Sequence, residues 1–284
     1  MAEFMQYEDV DRLPVDNLII RHIKNKNANK FEAFDDLDLI CFDLLDIFDM
    51  SKETEKITVC QTAEQVYYIC ESLETSDKLK TFYQATRINK TTPATPDTVP
   101  AKELYGFFAF LLKDDIDKMD DLEERITDME DVLLKDNKTD YTVGIISFRK
   151  ELLRLKRYYE QLSQVFDGII ENENHFIDEK NIKYFKFLDQ RADRLLSHIV
   201  NLRDYITQVR EAYQAQIDIE QNRLMKIFTV ITAIFLPLTL IVGWYGMNMK
   251  IPEYGWKYGY LYVIVFSVVV VVLMIVYFKK KKWF

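Results

Sequence analysis

Near its end the chain carries two uncharged apolar runs, IFTVITAIFLPLTLIVGWY at 227–245 and YGYLYVIVFSVVVVVLMIVYF at 258–278. Each matches the ~20 residues that carry a helix across the hydrocarbon core of a bilayer. A backbone in hydrocarbon must pair its polar groups internally, so two isolated runs are expected to be helices. The second run is so uniformly Val, Ile and Leu that it has no polar face and is expected to face lipid. Basic residues crowd the outer flanks of the pair: Arg223 and Lys226 before the first run, Lys279, Lys280, Lys281 and Lys282 after the second. The connection holds only Lys250, Lys257 and Glu253 as charges. The excess of Lys and Arg puts both flanks, and so both termini, in the cytoplasm and the connection outside. Trp244, Tyr245, Trp256, Tyr258 and Tyr260 then form an aromatic belt at the outer interface.

The remaining residues are of another kind. The 284-residue chain has a formal charge of −9, and almost all its charge lies before residue 226. The start, MAEFMQYEDVDRL, has acids and no apolar run, so no signal peptide is expected there. Cys41, Cys60 and Cys70 show no metal-ligand spacing and are expected to be reduced thiols of a cytosolic domain. LICFDLLDIF (39–48), KITVCQ (56–61) and QVYYIC (65–70) are strand-like, TSDKLKTFYQ is helix-like after its cap residues, and NKTTPATPDTVPAKE (89–103) reads as a linker. These place a small α/β domain over 1–90.

Gly and Pro almost vanish after 101, and three long helical patterns follow. The first, about 102–135, is apolar at Leu112, Ile116, Met119, Leu122, Ile126, Met129, Val132 and Leu133. Its other face carries ten acids, among them Asp114, Asp115, Asp117, Asp120 and Glu124, and reads as a solvated face, a reservoir for cations, or a partner for the basic tail. The second pattern covers about 142–171. The third starts near 177 and meets no breaker before Pro237, so it runs from the cytosol into the first membrane run. Some sixty residues at ~1.5 Å each make a rod on the order of 90–100 Å, which needs neighbours and points to a bundle of subunits.

Small and polar groups recur along that rod at steps of three and four: Asn222, Met225, Thr229, Thr232, Leu236, Thr239 and Gly243, with Gly246 and Asn248 at the mouth. Polar groups in hydrocarbon face protein or water. Thr229 and Thr232 can bond back to their own helix, and Pro237 frees a carbonyl. Two spans cannot enclose a pathway, so one lining helix per chain requires a ring of chains. Neither run holds a carboxylate. Amides and hydroxyls suit a cation that keeps its water, and Mg²⁺ sheds water reluctantly.

Tyr245-Gly246-Met247-Asn248 matches the YGMN signature of the CorA magnesium transporter family, and Pro252-Glu253 follows as in that family's outer loop, with Ile251 in place of Met. NRLMKIFTVITAIFLPLTLIVGWYGMNMKIPE resembles the family's first span throughout, and VYFKKKKWF resembles its C-terminus. The resemblance covers about 180–284. It implies an α+β membrane protein: a small cytosolic α/β domain, long helices including a stalk helix continuous with the first transmembrane helix, and two transmembrane helices per subunit. Expected boundaries are 1–100 for the α/β domain and linker, 101–176 for an acidic helical hairpin and 177–226 for the stalk. The spans are 227–245 and 258–278, joined by the loop 246–257, with a basic tail at 279–284.

The resemblance further implies a homopentamer in the plasma (inner) membrane, conducting Mg²⁺ and also Co²⁺ or Ni²⁺, with Mg²⁺ as cargo and regulator and no cofactor. Gly246, Met247 and Asn248 would form the selectivity ring, Asn248 touching the ion through its water. Asn222, Met225, Phe228, Leu236, Thr239 and Gly243 would line the pore, with Met225, Phe228 and Leu236 as an apolar constriction. Lys279, Lys280, Lys281 and Lys282 would make a basic collar and Glu253 an outer ring of carboxylates. Leu236 and Phe228 are bulkier or less flexible than the Met and Leu often found at such positions. The family's regulatory acid on the stalk falls on Phe187 here, leaving Asp189 or the acidic run 114–131 as substitutes.

Two alternatives stay open: a Zn²⁺ transporter of the related ZntB branch, against which Met247 speaks, and a membrane-anchored helical scaffold that conducts nothing. The scattered His22, His175 and His198, and the lack of a phosphate loop or nucleophile motif, argue against an enzyme. The negative charge argues against nucleic acid.

Overall fold

The computed structural model describes residues 2–24, 30–88, 96, 98–135, 141–247, 255–281 and 283. Its strands are β1 (Ala2–Gln6), β2 (Phe31–Phe34), β3 (Leu37–Leu44), β4 (Glu55–Gln61) and β5 (Val66–Cys70). Its helices are α1 (Asn17–Lys24), α2 (Leu73–Ile88), α3 (Val99–Leu111), α4 (Asp115–Lys135), α5 (Thr142–Glu171), α6 (Glu179–Tyr245) and α7 (Gly259–Lys280), with a 3₁₀ turn at Tyr7–Arg12. The chain divides into two units, Met1–Arg210 and Glu211–Phe284.

The first unit is built on a five-stranded sheet in the order β1-β5-β4-β3-β2. β1 runs parallel to β5 and the other neighbours are antiparallel. The run that reads LICF in β3 is buried on both sides, which is why it shows no alternation. On one face Leu37, Leu39, Cys41, Cys60, Tyr67 and Ile69 pack under Val10 of the 3₁₀ turn, Leu13 just after it, and Ile20 and Ile23 of α1. On the other, Phe42 meets Phe107 and Phe108 at ring separations of 6.2 and 5.8 Å, Tyr68 meets Phe107 at 4.7 Å, and Phe108 meets Phe166 at 5.1 Å. Helices α3 and α5 therefore cover this face. Gly168 lets α5 close on β2: a Cβ there would run into the Cβ and ring of Phe31. All three cysteines are buried thiols, and burial pushes Cys70 up to about 12, so they are protonated and inert at neutral pH.

Three sequence expectations change. The strand expected at 39–48 ends at Leu44, and Asp46 then folds the chain by accepting the N–H groups of Phe48 and Asp49, both at 3.1 Å. Strands β1 and β2 were not expected: each is only four or five residues long and too short to show a period. The single helix expected over about 102–135 is two helices, broken around Leu112. Arg191 donates to the Lys113 carbonyl at that break, at 3.0 Å. Helix α3 itself starts inside the expected linker, with Pro100 in its first turn, where a missing N–H costs nothing.

The register of α4 also differs. Leu112, Asp115, Met119, Leu122 and Ile126 are buried at alternating steps of three and four, with Leu133 one heptad further on, while Ile116 is 50% and Val132 46% exposed. Asp115, expected on the solvated face, occupies a core position. On α6 the buried stripe of Phe185, Leu188, Ala192, Leu195, Ile199, Leu202, Ile206 and Val209 keeps the same heptad spacing. Polar ties flank the packing: Arg125 to Glu151 at 3.3 and 3.4 Å, His198 to Glu123 at 3.0 Å, and the Tyr205 hydroxyl to Glu130.

Candidate functional site

In the second unit α6 and α7 are each long and apolar enough to cross a membrane. On α6 the less exposed positions are Val230, Ala233, Ile234, Pro237, Leu238, Ile241 and Tyr245, which form one stripe at helical spacing. On α7 they are Val263, Ser267, Val270, Val271, Met274 and Phe278, again one stripe. Each helix thus has one covered side.

Leu236, Thr239 and Gly243 lie on the other side of α6, and Asn222, Met225 and Phe228 extend that line into 221–229, where every residue is exposed. At about 100° per residue the two stripes are centred roughly opposite one another. All six are exposed; Met225 and Phe228 stand at 63% and Leu236 at 65%. An open groove of about 840 Å³ follows this side past Thr232, Leu236, Thr239, Gly243 and Met247. A Cβ at Gly243 would meet nothing within 4 Å. Thr229, Thr232 and Thr239 each donate back to the carbonyl four residues earlier, at 2.7, 2.8 and 2.9 Å. The hydroxyl proton is thereby spent on the helix, and the hydroxyl oxygen keeps its lone pairs free to accept. Such a stripe is mildly polar and carries no formal charge.

At the end of α6 the Gly246 N–H donates to the Val242 carbonyl at 2.8 Å, and the Met247 N–H to Trp244 at 3.4 Å. A Cβ on Gly246 would lie 2.9 Å from the Val242 oxygen, so this turn needs glycine or a shift of backbone. Asn248, Glu253 and Lys282 lie outside the described residues. Lys279, Lys280 and Lys281 are exposed at the end of α7.

In the first unit Phe187 is 52% exposed, while Asp189 is half-buried. Burial, with Asp193 and Asp167 adding like charge, raises the Asp189 carboxyl above the ordinary value. Among the described residues no group of three or more His, Cys, Asp or Glu is arranged to hold a metal ion. Asp115, with no solvent exposure, accepts from the Tyr159 hydroxyl at 2.7 Å. Burial holds its carboxyl up at about 6, against the Tyr159 hydrogen bond and the Arg191 charge. Sequence reasoning missed it because one acid in an acid-rich run carries no mark; the heptad step from Leu112 to Met119 is the signal that could have found it.

The family model for the CorA-like Mg²⁺ transporter protein matches residues 10–280. The chain belongs to this family. It is 28% identical over 181 residues to the cobalt/magnesium transport protein CorA of Thermotoga maritima, covering 63% of this chain and 52% of that protein. The match thus spans about half the length of that CorA relative. The fold is that of the CorA magnesium transporter of Methanocaldococcus jannaschii, with a TM-score of 0.80 at 17% identity, over 98% of this chain and 87% of the other. The cytoplasmic domain of ZntB from Vibrio parahaemolyticus is also similar in fold, with a TM-score of 0.55 at 14% identity over 74% of this chain and 82% of that domain.

Proposed function

We propose that copies of this chain surround a membrane pathway for hydrated divalent cations, Mg²⁺ foremost and Co²⁺ or Ni²⁺ with it. The observation that carries this reading is the uncovered side of α6, where Leu236, Thr239 and Gly243 stand opposite the covered stripe, and Phe228, Met225 and Asn222 continue the same line at helical steps. A span that left a mildly polar stripe and an uncrowded glycine toward lipid would gain nothing from them; a ring of such helices turns them inward. Family membership supports the cation class, and the resemblance to CorA supplies the number of subunits, five. The Arg223, Lys226, Lys279, Lys280 and Lys281 end of the spans is then cytoplasmic, in the plasma (inner) membrane.

In this pathway a ring of Asn248 amides at the outer mouth touches the ion through its hydration shell, and Glu253 carboxylates raise the local cation concentration. Below them Leu236, Phe228 and Met225 narrow the path with apolar side chains that close it by dewetting. The membrane potential drives the ion inward, at about 2.3 kcal/mol per charge per 100 mV. Phe187, exposed where the resemblance to CorA places a regulatory acid, offers no oxygen to an inner Mg²⁺, so closure by inner Mg²⁺ falls to Asp189, the acids of α4, or neither.

The test is Mg²⁺ influx into liposomes holding the full-length protein. Asn248→Ala is expected to cut influx roughly tenfold or more, since one lost charge-assisted hydrogen bond is worth about that and the ring loses one per chain. Unchanged influx would remove the ring from the mechanism. Zn²⁺ uptake that exceeds Mg²⁺ uptake and follows a proton gradient would favour the ZntB-like alternative, and no ion flux at all would leave a scaffold.

A further inference from the structure

We propose that Lys226, Lys279, Lys280 and Lys281 form a binding surface for anionic phospholipid headgroups, one that rests on reading 227–245 and 258–278 as membrane spans. All four are exposed. Among the described residues none of them has a carboxylate within salt-bridge distance, whereas neighbouring Arg223 is paired with Glu220 at 3.7 Å. Four ammonium groups without counter-charge at one end of two apolar helices are an electrostatic demand that the described residues leave unmet.

Their depth decides the partner. The apolar run before Lys279 covers roughly 30 Å as a helix, the thickness of the hydrocarbon core, so Lys279 and Lys280 in the last turn of α7 stand at the phosphate level. Lys226 directly precedes Ile227, the first residue of the other span, and stands at the same level. The chain after α7 does not leave this level at once. The Lys281 N–H donates to Tyr277 at 3.1 Å and the Trp283 N–H to Phe278 at 3.2 Å. The Trp283 ring folds back to 5.4 Å from the Phe278 ring. An aromatic ring on the last apolar residue, beside a row of lysines, is the pairing that anchors at a headgroup layer. Lysines there are attracted to phosphate diesters carrying a net negative charge more than to zwitterionic lipid. The competing counter-charge is the exposed acidic face of α4, with Asp117, Asp120, Glu124 and Asp128, presented by a second copy of the chain.

The experiment uses the full-length protein with Trp244→Phe and Trp256→Phe, leaving Trp283 as the one tryptophan. It is placed in phosphatidylcholine vesicles containing phosphatidylglycerol, with either lipid brominated at equal mole fraction. Brominated phosphatidylglycerol is expected to quench Trp283 as if enriched by roughly fivefold over its bulk fraction, and high salt is expected to abolish the excess. Removing the charges by Lys279→Gln, Lys280→Gln and Lys281→Gln should abolish it too, while the three Lys→Arg changes should keep it. Equal quenching by the two lipids would overturn the proposal. Equal quenching together with a change in assembly size on Lys→Gln substitution would overturn it as well, and would assign the lysines to α4 carboxylates. Quenching by neither lipid would overturn both this proposal and the membrane reading it rests on.

Discussion

Asp115 is a carboxyl group with no solvent exposure that accepts from the Tyr159 hydroxyl and feels the charge of Arg191. Its folded pKa of about 6 lies above the ~3.9 of an unfolded aspartate. Between those values the folded protein holds a proton that the unfolded chain has released, so this group favours folding fully below pH ~4 and loses that contribution as pH rises through about 6. Asp38, also buried and raised to about 6, acts in the same direction. Melting of Asp115→Asn is therefore expected to match wild type near pH 4 and to exceed it at pH 7, with a residual slope left by Asp38. The amide oxygen still accepts from Tyr159. A variant that melts lower than wild type at pH 7 would show that the ionised form is the one the fold requires. Gly168 tests packing at the same scale. In an open helix Ala would gain about 1 kcal/mol over Gly, but here its Cβ meets the root of the Phe31 side chain, which cannot swing clear. Gly168→Ala should cost about 1–3 kcal/mol by denaturant melting, and should cost less in a chain that also carries Phe31→Ala, which removes the Cγ and ring atoms the new methyl would meet.

At the scale of elements the register of α4 is the point most easily checked. The sequence stripe is right at Leu112, Met119, Leu122, Ile126 and Leu133 and wrong at Ile116 and Val132; at Ile116 a heptad step places Asp115 inward instead. Met119→Ala should therefore cost about 2–5 kcal/mol, while Ile116→Ala should cost well under ~1 kcal/mol; equal costs would mean the stripe follows the apolar residues after all. Long helices with repeated apolar steps were legible from the sequence: α5 was expected at about 142–171 and is Thr142–Glu171. Strands β1 and β2 were not, since four or five residues give too few steps to tell a period of two from noise. Nor was the break at Leu112, which has no Gly or Pro to announce it.

At the scale of the whole molecule the proposed pathway makes its own demand. If Leu236 belongs to an apolar constriction, then Leu236→Ser, which adds a hydroxyl and removes bulk at an uncovered position, should raise resting Mg²⁺ leak into vesicles several-fold without changing which ions pass. Leu238→Ser, on the covered stripe two residues on, should lower stability and leave the leak unchanged. Leak that rises equally for both would mean that the two sides of α6 do not divide into pathway and packing.

The amino-acid order alone determined that two C-terminal helices are apolar enough for a bilayer, which end of them is basic, and that α6 carries small and polar groups at helical steps. These follow from composition and period, which are local properties of the chain. It also sufficed, through YGMN and its neighbours, to point to the CorA family. What only the tertiary structure decided is which side of each helix is covered. Leu236, Thr239 and Gly243 lie opposite the covered side of α6, and Asp115 takes a core place that Ile116 was expected to hold. Burial is a property of what lies across the gap, and in a run crowded with acids or with valines the residues on the near side do not name their neighbours.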